Sequence, residues 1–130
     1  YLAGHFAEAE RLYLDGVAAA PTAVGKVTML LVQADQLHIQ GRFPEALPVL
    51  RRALELLGRP FPGTEEEAGS LFPAEFAETE RQLAPHTHEA LLRAPEMQDE
   101  ARLLEMRVYF ALSYATYQSG CFASFAVNAC

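Results

Sequence analysis

Two stretches of this chain, 37 residues apart, carry one pattern. The first is "GHFAEAERLYLDGVAAAP", from Gly4; the second is "GRFPEALPVLRRALELLG", from Gly41. Phe6, Ala9, Tyr13, Gly16 and Ala20 map onto Phe43, Ala46, Leu50, Ala53 and Leu57. All ten are apolar or small, and the 3, 4, 3, 4 spacing puts each set on one helix face. Among the polar positions, Glu8 maps onto Glu45, while Arg11 maps onto Pro48. A helix that recurs at a fixed step cannot bury its apolar face alone. It must stack on its neighbours, so the chain reads as part of an all-α array.

The segment between the copies completes a hairpin. Leu30, Ala34 and Leu37 give helical spacing through residues 24–40. Gly41 ends that helix, and Phe43-Pro44 opens the next, with proline where its missing N–H costs nothing. Residues 24–58 therefore read as a helix-turn-helix unit. Residues 1–21 read as the second half of an earlier unit whose first helix remains only as Tyr1-Leu2-Ala3. Pro48 predicts an irregular first turn, and Gly58 with Pro60 and Pro62 ends the helix. "RPFPG" is a connector. Thr64 with Glu67 has capping-box spacing, and Glu65-Glu66-Glu67 suits a helix N-terminus. Residues 64–94 read as an irregular helical segment split at Pro73, with a helix over 73–83 and a short one over 87–93. Pro95-Glu96 opens a long helix over 96–118, with Leu103, Met106, Phe110 and Tyr114 or Ala115 facing inward. Gly120-Cys121-Phe122 repeats the Gly-x-aromatic turn, so 96–130 forms a weak third hairpin.

Composition narrows the partners. Hydrophobic residues at 51% and charged residues at 21% fit a globular domain of this length. The net charge of -7 falls entirely on residues 61–130, which would repel phosphate backbones and argue against nucleic acid. Residues 108–130 carry no charge, long enough to span a bilayer. Gln118-Ser119-Gly120 interrupts them, so two buried helices and a turn are expected in place of a membrane span. Cys121 and Cys130 form no CxxC motif and read as free thiols of a cytoplasmic protein. No signal peptide is expected at residue 1.

Chemistry is sparse. His86, His88 and Glu89 in "PHTHE" have metal-ligand types, but histidines two apart do not share a helix face, so a solvated loop is expected. Glu65-Glu66-Glu67 lacks the alternation of a calcium loop. His5 and His38 read as surface or turn residues. No nucleophile elbow or phosphate-cradling loop occurs. No catalytic, cofactor or metal residue is assigned. Tyr109, Phe110, Tyr114, Tyr117, Phe122 and Phe125 offer either a ligand groove or core packing, and core packing is expected.

The Gly-x-aromatic-x-Glu-Ala core, with a small residue seven positions after that Ala, resembles the tetratricopeptide repeat. Gly4, Phe6, Ala9, Gly16 and Pro21 match it in the first copy; Ala34, Gly41, Phe43, Ala46 and Ala53 match in the second. Leu30 and Leu37 depart from the motif's aromatic positions. The 37-residue step exceeds the usual repeat of about 34, which predicts a longer first loop. The resemblance implies antiparallel hairpins stacked as a right-handed solenoid. More narrowly, "ALELLGRPFP" and "LLRAPEMQDEARLLEMRVYFALSYATY" are similar to the helical region of large bacterial signalling proteins. In these, protein kinase and STAND/AAA-type ATPase domains precede that region, and GAF and histidine kinase domains often follow. The resemblance implies a non-catalytic module whose partner is a protein, a peptide or a neighbouring domain. Gln33, Gln36 and Gln40 are its candidate contacts, since amides can hydrogen-bond an extended backbone. A ligand-sensing arm coupled to an ATPase or kinase is the alternative, and a small metal-dependent helical enzyme a remote one. The incomplete outer hairpins also predict pairing of two copies through their bare ends.

Overall fold

The computed structural model describes residues 5–130, apart from the side chains of Phe6 and Ala7. Gly4, the Phe6 ring and Tyr1-Leu2-Ala3, all named in the repeat pattern, lie outside the described residues. The described residues form seven helices and no strand: α1 (Phe6–Ala19), α2 (Ala23–Ile39), α3 (Phe43–Leu56), α4 (Glu65–Leu83), α5 (His88–Leu92), α6 (Glu100–Gln118) and α7 (Phe122–Ala129). The fold is all-α.

Short polar side chains cap the starts of α2, α4, α5 and α6, while α1, α3 and α7 have no side-chain cap from their own N-cap residue. The Thr22 hydroxyl accepts from the Gly25 amide at 3.0 Å and opens α2. Thr64 and Glu67 exchange side-chain and backbone bonds in a complete capping box. Asp99 accepts from the Arg102 amide at 3.0 Å and opens α6. That cap moves the start of α6 from the expected residue 96 to Glu100.

The turns after α2 and α6 are built alike. Gly41 has φ 72° and Gly120 φ 71°, a region that penalises any side chain with a Cβ. At the first, the Arg42 amide donates to Leu37 O and the Gly41 amide to His38 O, both at 2.9 Å. At the second, Cys121 donates to Thr116 O and Gly120 to Tyr117 O. Both are Schellman turns, and both deliver the chain into a new helix at an aromatic residue.

Neither internal proline ends its helix. Pro48 lies inside α3. Pro73 does not split the following segment, because α4 runs through it from residue 65 to 83. Pro73 and Gly69, whose carbonyl loses its partner, are both exposed, so water can satisfy that group.

The core joins three helices. Val27, Leu30, Leu31, Ala34 and Leu37 of α2 meet Ala46, Leu47, Leu50, Ala53 and Leu54 of α3. Leu104, Val108, Ala111, Leu112 and Ala115 of α6 complete the cluster. Helix α3 packs against α2 and α6, α2 also touches α6, α1 packs on α2, and α7 lies between α6 and α4. The expected inward face of α6 needs correction: Leu103, Met106, Phe110 and Tyr114 are exposed, and of the set only Ala115 is buried. Apolar residues surround α6, so spacing alone names two faces. The stripe with Ala111 and Ala115 wins because small side chains let helices approach closely.

Among the repeat positions, Ala34, Ala46 and Ala53 are fully buried, Phe43, Ala9 and Gly16 are half-buried, and Pro21 is exposed. A Cβ on Gly16 would stand 2.6 Å from the Met29 methyl, so the glycine admits that side chain.

Two contacts fasten α4 to α7. The Glu65 carboxylate accepts from the Ala123 and Ser124 amides at 2.9 and 3.1 Å, capping the start of a helix 58 residues away. Burial opposes its charge, but the donors on Ser124 and Ala123 outweigh it and hold its pKa below the ordinary carboxylate value. At the other end, the Thr79 hydroxyl donates to Cys130 O at 2.7 Å. No helix of the described residues is long and apolar enough to cross a membrane.

Candidate interaction groove

A groove of about 420 Å³ runs between α2 and α6. Leu31, Asp35 and His38 line it from α2, since steps of four and three keep them on one stripe. Leu103, Met106, Arg107, Phe110, Ala111 and Tyr114 line it from α6. The α6 stripe left out of the core thus becomes a wall of the groove.

One end of the groove is closed by rings. His38, Phe43 and Tyr114 have centroids 5.4 to 5.8 Å apart, and Tyr114 meets both others edge-on. His38 is half-buried and its Nε2 has no hydrogen-bond partner among the described residues. Burial pulls its pKa below the ordinary 6.5, and the charge of Asp35 offsets only part of that. At neutral pH it is an uncharged ring, and its expected reading as a lone surface or turn residue is corrected.

Asp35 and Arg107 are exposed, stand on opposite walls, and join no ion pair among the described residues. By contrast, Arg42 is saturated. It grips Glu45 with two nitrogens and reaches Glu10 on α1 at 2.7 Å and Gln40 at 3.0 Å. These bonds tie the α2–α3 turn to α1 and keep the Arg42 guanidinium firmly protonated.

The three glutamines form a different stripe. Gln33, Gln36 and Gln40 follow Met29 at steps of four, three and four. Met29 abuts Gly16 of α1, and Gln40 accepts from Arg42. By helical geometry that stripe lies on the side of α2 opposite Leu31, Asp35 and His38. The structure therefore does not bring the glutamines to the groove.

Of the six aromatics, Phe110, Tyr114, Tyr117 and Phe122 are exposed, while Tyr109 and Phe125 are half-buried. Core packing was the expectation for the set, and four of its members depart from it. What sequence reading missed is the α2 wall. The signal available was Arg107 inside an otherwise apolar stripe of α6, a charge that a buried face would not tolerate.

His86, His88 and Glu89 are exposed, and Glu89 pairs with Arg93 at 2.7 Å. Two of the three acidic residues at the start of α4 are engaged by helix caps, Glu65 on α7 and Glu67 on its own helix. Among the described residues, no three His, Cys, Asp or Glu side chains cluster as a metal site. Comparisons with protein-family models, with curated proteins and with solved structures find no match to this chain.

Proposed function

We propose that this chain is a non-catalytic helical-repeat module of tetratricopeptide type, which binds a protein segment or a neighbouring domain through the α2–α6 groove. The observation that carries this reading is the groove wall itself. Leu103, Met106, Phe110 and Tyr114 stand 45 to 81% exposed in one line, a cluster that water disfavours and that marks an interaction surface. The matched turns at Gly41 and Gly120, with α2 and α6 side by side, support a repeated hairpin. The sequence resemblance supports a setting inside a cytoplasmic bacterial signalling protein carrying kinase or ATPase domains.

The test is titration of the chain with the neighbouring domains of such a protein. Phe110→Asp is expected to weaken binding at least tenfold, a loss of about 1.4 kcal/mol. Gln33→Ala with Gln36→Ala tests the other face of α2. Loss of binding there with Phe110→Asp unaffected would transfer the site to the glutamine stripe.

A second reading, the ligand-sensing arm, is favoured by one observation: His38, Asp35 and Arg107 bring polar groups to an apolar groove, the make-up of small-molecule sites. A thermal-shift screen of metabolites separates the two, since a sensor gives hits that His38→Gln abolishes.

A further inference from the structure

The exposed stripe of α6 has a symmetry that a binding site for an unrelated segment would not need. Leu103, Met106, Phe110, Tyr114 and Tyr117 are spaced 3, 4, 4, 3. The pattern is a palindrome about Phe110, with Met106 and Tyr114 four residues to either side and Leu103 and Tyr117 seven. Phe110 is also the most exposed of the five, at 81%. The stripe covers about 21 Å of helix. Tyr117 continues it onto α7 through Phe122, ring centroids 6.5 Å apart.

We propose that the occupant of this face is a second copy of the chain, paired across a two-fold axis at Phe110 with the two α6 helices antiparallel. The proposal deepens the reading of the groove as a protein-binding surface and rests on it. A two-fold interface uses the same patch on both copies, so the patch must complement itself. A palindromic stripe does: Phe110 meets Phe110, Met106 meets Tyr114, and Leu103 meets Tyr117. The Met106–Phe110 ridge is flanked by the α2–α6 groove and, at Met106, by a hollow of about 460 Å³ lined by Phe61, Leu71 and Tyr109, so the two-fold sets ridge on ridge and each groove over its own copy.

Area and charge agree as well. Phe110, Tyr114, Tyr117 and Phe122, exposed by 81, 48, 58 and 64%, together offer roughly 500 Å². Leu103, Met106 and the α2 wall bring the patch toward the ~800 Å² per partner of a stable interface. Arg107 and Asp35, on opposite walls and in no ion pair among the described residues, are of opposite sign. The two-fold presents Arg107 of each copy to Asp35 of the other, making two equivalent ion pairs.

Sedimentation equilibrium of the whole chain tests this. The expected result is a dimer at micromolar concentration that Phe110→Asp converts to a monomer with unchanged helical circular dichroism. Arg107→Asp and Asp35→Arg are each expected to weaken pairing about tenfold or more, by setting like charges opposite each other. Mixed together, the two variants recover a heterodimer, because each supplies the charge the other lacks. A dimer indifferent to Phe110→Asp overturns the proposal and puts pairing on another face. A chain that stays monomeric at every concentration overturns it too. If Phe110→Asp still abolishes binding of a neighbouring domain, the groove reading survives; if it changes neither that binding nor pairing, both fall.

Discussion

His38 shows at a single residue how the fold sets chemistry. In the sequence it is one histidine between Leu37 and Ile39, with no motif around it. In the structure its ring packs against Phe43 and Tyr114, and burial lowers its pKa below 6.5. The folded chain then binds fewer protons than the unfolded chain as pH falls past that value. Its contribution to stability is therefore complete above about pH 6.5 and is lost as pH drops toward the lowered pKa. Urea unfolding at pH 7.5 and 5.0 is expected to show a larger loss for the native chain than for His38→Gln. Equal losses would mean that the ring titrates as it does unfolded. The same gap separates sequence from structure at Glu65. Its place in a helix-opening acidic triplet was legible, but its bonds to Ala123 and Ser124 were not, since nothing local points across 58 residues. Gly41 and Gly120 lie at the other extreme. A Gly-x-aromatic turn after an apolar helix is local chemistry, and both were readable.

At the scale of elements, α6 is where expectation and structure part. Its two apolar faces are equivalent to a periodicity argument, and the packing of α3 and α7 selects one. The choice has an energetic consequence. Leu112 is fully buried, so Leu112→Ala is expected to cost about 2–5 kcal/mol in denaturant unfolding. Met106 is 63% exposed, and Met106→Ala in dilute solution is expected to cost less than about 1 kcal/mol. The reverse order would restore the face inferred from sequence. Pro73 teaches a related point. Inside a helix proline removes one backbone bond, but whether the helix ends depends on whether the freed carbonyl is buried or wet. In α4 the surroundings are exposed and the helix continues.

Across the whole molecule, packing is uneven. Helices α2, α3 and α6 share the core, while among the described residues α5 packs on no other helix and residues 80–103 are exposed throughout. Backbone with so few buried contacts opens at little cost. Brief trypsin treatment is expected to cut first after Arg93, leaving pieces that end at 93 and begin at 94 by mass spectrometry. A first cut at Arg51 or Arg52, within α3, would contradict this distribution of order.

The all-α class, the helix starts at Thr64 and near Pro44, and the matched turns followed from the sequence by itself. Each depends on bonds within a few residues: a cap, a missing N–H, a glycine in the left-handed region. The buried face of α6, the neutral His38, the cap that Glu65 places on α7 and the groove between α2 and α6 were decided only by tertiary structure. Each depends on which helix lies alongside, and two apolar faces of equal spacing differ only when a neighbour covers one and leaves the other to water.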